Sequence, residues 1–454
     1  MELSVIILAA GQGKRMNSDL PKVLQPLAGR PLLGHVLDTA AALNPTEICV
    51  VYGHGGDTVQ QAFADAGLLW ALQAEQLGTG HAVQQALPLL TQANLALVLC
   101  GDVPLIQPDA LQALVNAAGP EKLALLTAEV DDSTGYGRIV RDAHGHVASI
   151  VEERDATVDQ RAILEINTGL MVAPVPLLQD WLSRVKADNA QGEFYLTDVI
   201  ALAAAGGHTV TAVQAPAAAE VLGINDRSQL AVAEGIYRAR VAEALMQQGA
   251  RLADPARLDV RGEVHCGRDV FIDINAVFEG RVELGDGVHI GPNVCIRDAA
   301  IGAGTQIHPN CVIEEADIGE LCQIGPFARM RPGVRLEERA KLGNFVELKK
   351  SHVGAGSKVN HLSYVGDATL GEGVNVGAGT ITCNYDGANK HPTVIGDGAF
   401  IGSGVQLVAP VEIGAGATIG AGSVISKGAP AGELTVGRAK QVTILGWQRP
   451  TKKK

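Results

Sequence analysis

The residues best suited to chemistry fall into three groups. The first follows an apolar run: Leu8, Ala9, Ala10, Gly11, Gln12, Gly13, Lys14, Arg15 and Met16, with Pro21 and Lys22 shortly after. Glycines leaving a buried strand let backbone N–H groups approach phosphate oxygens, and the basic side chains neutralise them. Met16 stands where a dinucleotide fingerprint needs its third glycine, and the spacing is not that of a Walker A loop, so this is a different phosphate cradle. The second group, Cys100, Gly101, Asp102, Val103 and Pro104, ends another apolar run. A carboxylate there is placed for Mg2+, which takes hard oxygens together with substrate phosphates; alone, it would equally be a turn residue closing a strand. The third group lies far downstream. Arg331, Lys349 and Lys350 are followed by Asn360, His361, Leu362, Ser363 and Tyr364, then by the polar run Asn384, Tyr385, Asp386, Gly387, Ala388, Asn389 and Lys390. A lone histidine is usually structural, but the frame of the surrounding repeat turns His361 outward beside cations. An imidazole so placed can take a proton from an attacking amine, and Arg331 and Lys349 can hold a sugar phosphate.

Two kinds of scaffold must position these groups. Residues 1–225 alternate apolar runs at 4–10, 48–52, 68–72 and 95–100 with helical patterns at 32–43, 57–66 and 79–90. Alternating strands and helices imply a mostly parallel sheet covered on both faces, with ligands beyond the C-terminal ends of the strands. In 226–249, Leu230, Ala233, Tyr237, Val241 and Leu245 recur at spacings of three or four, one face of a connecting helix that Gly249 stops. From about residue 264 an aliphatic residue recurs every six positions, often before glycine, as in Ile290-Gly291, Ile324-Gly325, Leu342-Gly343, Val376-Gly377 and Ile401-Gly402. Four residues after the aliphatic position comes a small side chain, such as Thr305, Cys311, Cys322, Ala340, Ser357 or Ala417. This is the hexapeptide pattern of a parallel β-helix with three short strands per coil and ~18 residues per coil. Cys311 and Cys322 are then interior packing residues. The run 382–392 breaks the repeat and must leave the prism as a loop. The expected domains are 1–225, the connector 226–249, and 250–454.

Composition narrows the function classes. Of 454 residues 54 are glycine, about 12% against a usual ~7%, yet no Gly-X-Y period makes the chain collagenous. The net charge of −13 does not suit nucleic-acid phosphates, and the short tail Lys452, Lys453 and Lys454 reads as solvated. No apolar run reaches the ~18 residues of a membrane span. The run 5–10 lacks the basic flank of a signal segment, since Glu2 precedes it. Seven cysteines without a C-x-x-C imply neither a disulfide framework nor a zinc site, so a cytoplasmic protein is expected.

The Gly-rich loop with Arg15, Pro21 and Lys22 resembles the signature of sugar-phosphate nucleotidylyltransferases. Segments in that family's order follow: 73–82, containing Gln73, Gly78 and Thr79; Cys100, Gly101 and Asp102; Gly135, Tyr136, Gly137 and Arg138; Glu152; Asn167; and Gly223, Ile224 and Asn225. The repeat resembles that of hexapeptide acyltransferases, which is the only ground for expecting a left-handed coil, since parallel crossovers are otherwise right-handed in ~98% of cases. Taken over nearly the whole chain, the sequence resembles the bacterial bifunctional N-acetylglucosamine-1-phosphate uridylyltransferase and glucosamine-1-phosphate N-acetyltransferase family. The segment 384–390 is its most discriminating piece.

That resemblance implies two reactions: N-acetylation of glucosamine-1-phosphate by acetyl-CoA, then uridylyl transfer from UTP to give UDP-N-acetylglucosamine, an envelope precursor. It assigns nucleotide and sugar contacts to Leu8, Ala9, Ala10, Gly11, Arg15, Lys22, Gln73, Gly78, Thr79, Cys100, Gly101, Asp102, Gly137, Glu152, Asn167 and Asn225, with Mg2+ on Asp102 and Asn225. Cys100 departs from the family's usual tyrosine, at little cost if the contact is through backbone. It assigns glucosamine-1-phosphate to Arg331, Lys349, Tyr364, Asn375 and Lys390, acetyl-CoA to Ala378, Asn384, Tyr385, Ser403, Ala421 and Arg438, and general-base catalysis to His361. It also implies a homotrimer with acetyl-transfer sites between subunits. Two other readings are a nucleotidylyltransferase whose β-helix serves only assembly or allosteric control, against which His361 and 384–390 stand, and a non-catalytic β-helix scaffold or ligand-binding module, against which the Gly-rich loop with Arg15 and Lys22 stands.

Overall fold

The structure is a computed structural model describing residues 2–11, 13–53, 56–92 and 94–452. Gln12 of the Gly-rich run and the terminal Lys453 and Lys454 lie outside the described residues. The chain divides into two compact units, Met1–Tyr237 and Arg238–Lys454.

In the first unit the continuous apolar runs form a sheet in the order Thr209–Gln214, Lys122–Glu129, Glu165–Pro174, Leu95–Cys100, Leu3–Leu8, Glu47–Tyr52 and Leu69–Leu72. Pairing is parallel except along Glu165–Pro174, which runs antiparallel to both neighbours. Successive side chains of a strand point to opposite faces. Val5 and Ile7 therefore join Leu33, Val36 and Leu111 in one core layer, while Ile6 joins Val83, Leu178 and Val199 in the other. The apolar positions of Arg227–Gln247 do two jobs. Leu230 and Ala233 pack with Met16, Leu27, Leu32, Leu105 and Ile224, whereas Ala242 and Leu245 belong to the core of the second unit.

The second unit is a stack of short parallel strands with three faces. Its first face has eleven strands, from Arg251–Leu252 to Leu434–Thr435. Ten steps of ~4.8 Å make it roughly 48 Å tall. Most successive coils repeat at 17 or 18 residues, as in Gln306↔Gln323↔Lys341↔Lys358; the first step, Arg251↔Phe271, is 20, the last, Thr418↔Leu434, is 16, and Asn375↔Phe400, at 25, brackets the polar insertion. The small residues of the repeat are interior: Thr305, Cys311, Cys322, Ala340, Ser357 and Ala417 are all fully buried.

Strand stacking begins at Arg251–Leu252, ahead of the hexapeptide beat, because the first coils use the nine-residue strands Leu258–Cys266 and Ala276–Leu284. One expectation is corrected. The six-residue beat, in which the fourth residue after an aliphatic position is small and interior, puts His352 inside the prism, and the structure overturns this. The step from Leu348 to Val353 is five residues, so Ser351 and Val353 point inward and His352 faces out, bonding Glu337 at 2.9 Å. Among the described residues no helix is long and apolar enough to cross a membrane, and all seven cysteines are unpaired.

Candidate active sites

In the first unit, the strand Leu3–Leu8 ends at the Gly-rich loop. Gly13 takes φ +60°, and a Cβ there would lie 2.6 Å from Cβ of Lys22. Only glycine lets the loop fold back this closely on the lysine. Met16, almost fully buried, anchors the loop in the apolar cluster around Leu27. Ala10 offers its carbonyl to Nε2 of Gln76. Lys22 Nζ then meets two oxygens from segments far apart in sequence: Oδ2 of Asp102 and, at 3.1 Å, Oδ1 of Asn225. Asp102 also accepts the backbone N–H of Ile224 on its own carbonyl at 2.9 Å, which ties the two carrier segments together.

Two adjoining cavities flank this junction. One, about 270 Å³, is lined by Leu8, Ala9, Ala10, Gly11, Lys22, Gln73, Gly78, Thr79, Cys100 and Asp102. The other, about 230 Å³, is lined by Gly137, Glu152, Asn167, Tyr136 and Thr197, and shares Leu8, Thr79 and Cys100 with the first. Residues of the Gly-rich loop and of 73–82 thus line one compartment, and Gly137, Glu152 and Asn167 line its neighbour. Gly78 at φ +110° brings the chain so close to Phe194 that a Cβ would lie 2.6 Å from its carbonyl oxygen. Burial raises the Glu152 carboxyl, partly offset by the Thr197 hydroxyl donating to it at 3.0 Å. Burial, with the charge of Asp102 beside it, pushes the Cys100 thiol up to about 12, so the residue is neutral. Gly101 and Asn225 support the junction from outside the cavity walls, and Arg15 is exposed on the turn Lys14–Met16.

The second unit builds its cluster by stacking. Asn344 and His361 pair in register. The carbonyls of Asn344, His361, Ala378 and Ser403 accept in turn from the N–H groups of Leu362, Gly379, Gly404 and Gly422, which makes one column of Asn344, His361, Ala378, Ser403 and Ala421. Arg438 caps the column, its guanidinium donating to the carbonyl of Ala421. His361 is exposed, as its frame required, and its Nδ1 lies 2.8 Å from Oδ1 of Asn344.

A second group lies on the next face. Lys349 is in register with Gly366, one coil above Arg331. Any side chain at Gly366 would collide with the Tyr364 hydroxyl and approach Nδ2 of Asn384 within 2.9 Å, so both surround that glycine. Asn384 is buried and donates to Asp367, which roots the insertion. The insertion is a small hairpin bridged by Tyr385 and Lys390, with Lys390 Nζ 4.3 Å from the Tyr385 ring centre. Asp386 accepts the N–H of Asn389 and the ring of His391, which together hold its carboxyl well below the usual range. Asn375 lies three positions ahead of Ala378 and outside the column.

Sequence reasoning missed Asn344, Thr197 and Glu347, the last of which ion-pairs with Arg331 at 3.2 Å. Asn344 was findable: it lies 17 residues, one coil, before His361.

A mostly parallel α/β unit with a phosphate loop, followed by a hexapeptide prism, defines a transferase that joins a nucleotidyltransferase domain to an acyltransferase-type repeat. Residues 5–253 match the MobA-like NTP transferase domain, and 263–298 and 392–427 match the bacterial transferase hexapeptide repeats. The chain is 60% identical over 452 residues to the Bifunctional protein GlmU of Azoarcus sp., covering 100% of both. It is 58% identical to that of Aromatoleum aromaticum and 56% identical to that of Ralstonia nicotianae, in each case over 100% of this chain and 99% of the relative. The chain belongs to the bifunctional GlmU family.

Proposed function

We propose that this chain makes UDP-N-acetylglucosamine in two steps. On the prism, the amine nitrogen of glucosamine-1-phosphate attacks the thioester carbon of acetyl-CoA. The C–S bond breaks, the CoA thiolate leaves, and the amine proton passes to His361. Arg331, Lys349 and Lys390 neutralise the sugar phosphate, with Tyr364 and Asn375 bordering it. Ala378, Asn384, Tyr385, Ser403, Ala421 and Arg438 carry acetyl-CoA along the column and loop. In the α/β unit, a phosphate oxygen of N-acetylglucosamine-1-phosphate attacks the α-phosphorus of UTP and pyrophosphate leaves. Lys22 and Arg15 neutralise phosphate charge, the Gly-rich loop presents its backbone N–H groups, and Gly137, Glu152 and Asn167 hold the sugar. No covalent intermediate is needed, so positioning and charge neutralisation carry the catalysis.

Asp102 and Asn225 are assigned to Mg2+. Their two hard oxygens are already turned towards one cation, the Lys22 ammonium, which supports the fit. When bound, the ion supplies neutralisation of phosphate charge.

The observation that carries the reading is His361 itself, exposed on its strand with Nδ1 2.8 Å from Oδ1 of Asn344, below the small exposed positions Ser403 and Ala421 of the same column. The assembly is assigned as a homotrimer with acetyl-transfer sites between subunits, a reading that rests on the family resemblance. Paired assays of UTP-dependent pyrophosphate release and of CoA release from acetyl-CoA and glucosamine-1-phosphate test the reading. Absence of the second activity overturns the two-step assignment. Sedimentation near three times 47.1 kDa is expected, and a fully acetylating monomer refutes the trimer.

A further inference from the structure

Most first-face strands are two residues long, but Lys341–Asn344 and Lys358–His361 are four. The ladder is thus extended to the pair Asn344↔His361. Gly343 makes this possible: a Cβ there would collide with the carbonyl oxygen of Asn360. Both side chains of the pair therefore stand on locked backbone rather than on a mobile turn.

An imidazole accepts a proton at one nitrogen only, and the hydrogen bond made by the other decides which. Asn344 Oδ1 lies 2.8 Å from Nδ1 of His361. With the amide oxygen as acceptor, the ring hydrogen sits on Nδ1 and the lone pair is left on Nε2. The charged groups on the strands packed here are Lys341 below and Lys358 on the same strand, while the strand above presents Asn375. No carboxylate comes from these strands, so the tautomer is set by a neutral amide.

We propose that Asn344 is a positioning residue for acetyl transfer, its side-chain oxygen holding His361 in the tautomer whose Nε2 is free to take the amine proton. This rests on His361 being the base. In the full chain, Asn344→Ala is expected to lower acetyl-transfer kcat by roughly 10- to 100-fold, short of the ~10²–10⁴ of losing a general base. KM for acetyl-CoA and uridylyl transfer should stay within about twofold. Asn344→Asp can only accept when ionised. It should recover at least about a third of wild-type kcat above about pH 8, with the acid limb of the profile moved up by roughly one unit, because a carboxylate favours the protonated ring.

Equal losses in both variants with an unmoved acid limb overturn the proposal, since they mean that the amide donates or merely packs. Asn344→Ala within about threefold of wild type overturns it too. A crippled His361→Ala beside an active Asn344→Ala leaves the base standing and removes only its positioner. An active His361→Ala removes the base itself.

Discussion

The two candidate sites are built on opposite plans. In the α/β unit, Lys22, Asp102 and Asn225 come from three loops separated by 80 and 203 positions, and their meeting depends on how each strand end turns. On the prism, Asn344, His361, Ala378, Ser403 and Ala421 meet because the backbone ladder adds one residue per coil. The first plan brings unlike groups to a point; the second lines similar positions up along an edge. A point suits a phosphorus and its counter-charges. An edge suits a long, thin co-substrate with its reacting group at one end.

The largest effect expected to separate the plans is that of His361→Ala. It should lower acetyl-transfer kcat by roughly 10²–10⁴ and leave uridylyl transfer and acetyl-CoA affinity near wild type. Acetylation within about threefold of wild type would place the base elsewhere. Conversely, Asp102→Ala or Asn225→Ala should cost uridylyl transfer at least ~10²-fold and leave acetyl transfer nearly unchanged. Full pyrophosphate release by both variants removes them from the metal.

Stability measurements sharpen the contrast. Gly343→Ala forces a Cβ into backbone of the next coil and should cost roughly 3 kcal/mol by denaturant titration. Gly11→Ala meets nothing within 4 Å, so its melting point should hold while KM for UTP rises as the cavity fills. Equal tolerance at both glycines would mean that the ladder is looser than drawn. A fragment ending at residue 247 should fold and keep uridylyl transfer. One ending at 227 loses Leu230 and Ala233 from the cluster around Met16 and should be less stable by roughly 2–3 kcal/mol. Equal stability of the two would show that the helix adds nothing to this unit.

The smallest effect concerns Glu152. Its raised carboxyl favours the neutral form in the fold. That contribution is full at acid pH and is lost as pH rises through the folded value. Glu152→Gln should therefore melt slightly higher than wild type at neutral pH, with the advantage vanishing towards pH 4, while binding the sugar phosphate more weakly. A lower melting point at neutral pH contradicts the sign.

Much of this was legible in the sequence because both scaffolds write themselves periodically. Buried strands such as 95–100 are continuous apolar runs, and the Ile-Gly beat marks each coil. Legibility failed where local geometry breaks the period. The five-residue step from Leu348 to Val353 turns His352 outward, against the six-residue beat. Glu347 and Asn344 were passed over because a side chain's partner one coil away is visible only once register is fixed. Thr197 was missed because it faces Glu152 from a segment 45 residues distant.

The insertion that departs from the repeat has one more consequence. It lengthens a coil to 25 residues, against 17 in the coil beneath, yet the strands on either side stay in phase. Extra chain leaves through a corner and never enters the ladder. Distance along the column is therefore graduated: from His361 to Ala421 is three rungs, roughly 14 Å, and it changes only in whole rungs of ~4.8 Å. Loop length and reach are inherited separately. Such a prism can acquire a new hairpin without altering the length of molecule it measures, and it can shorten that measure only by discarding an entire coil.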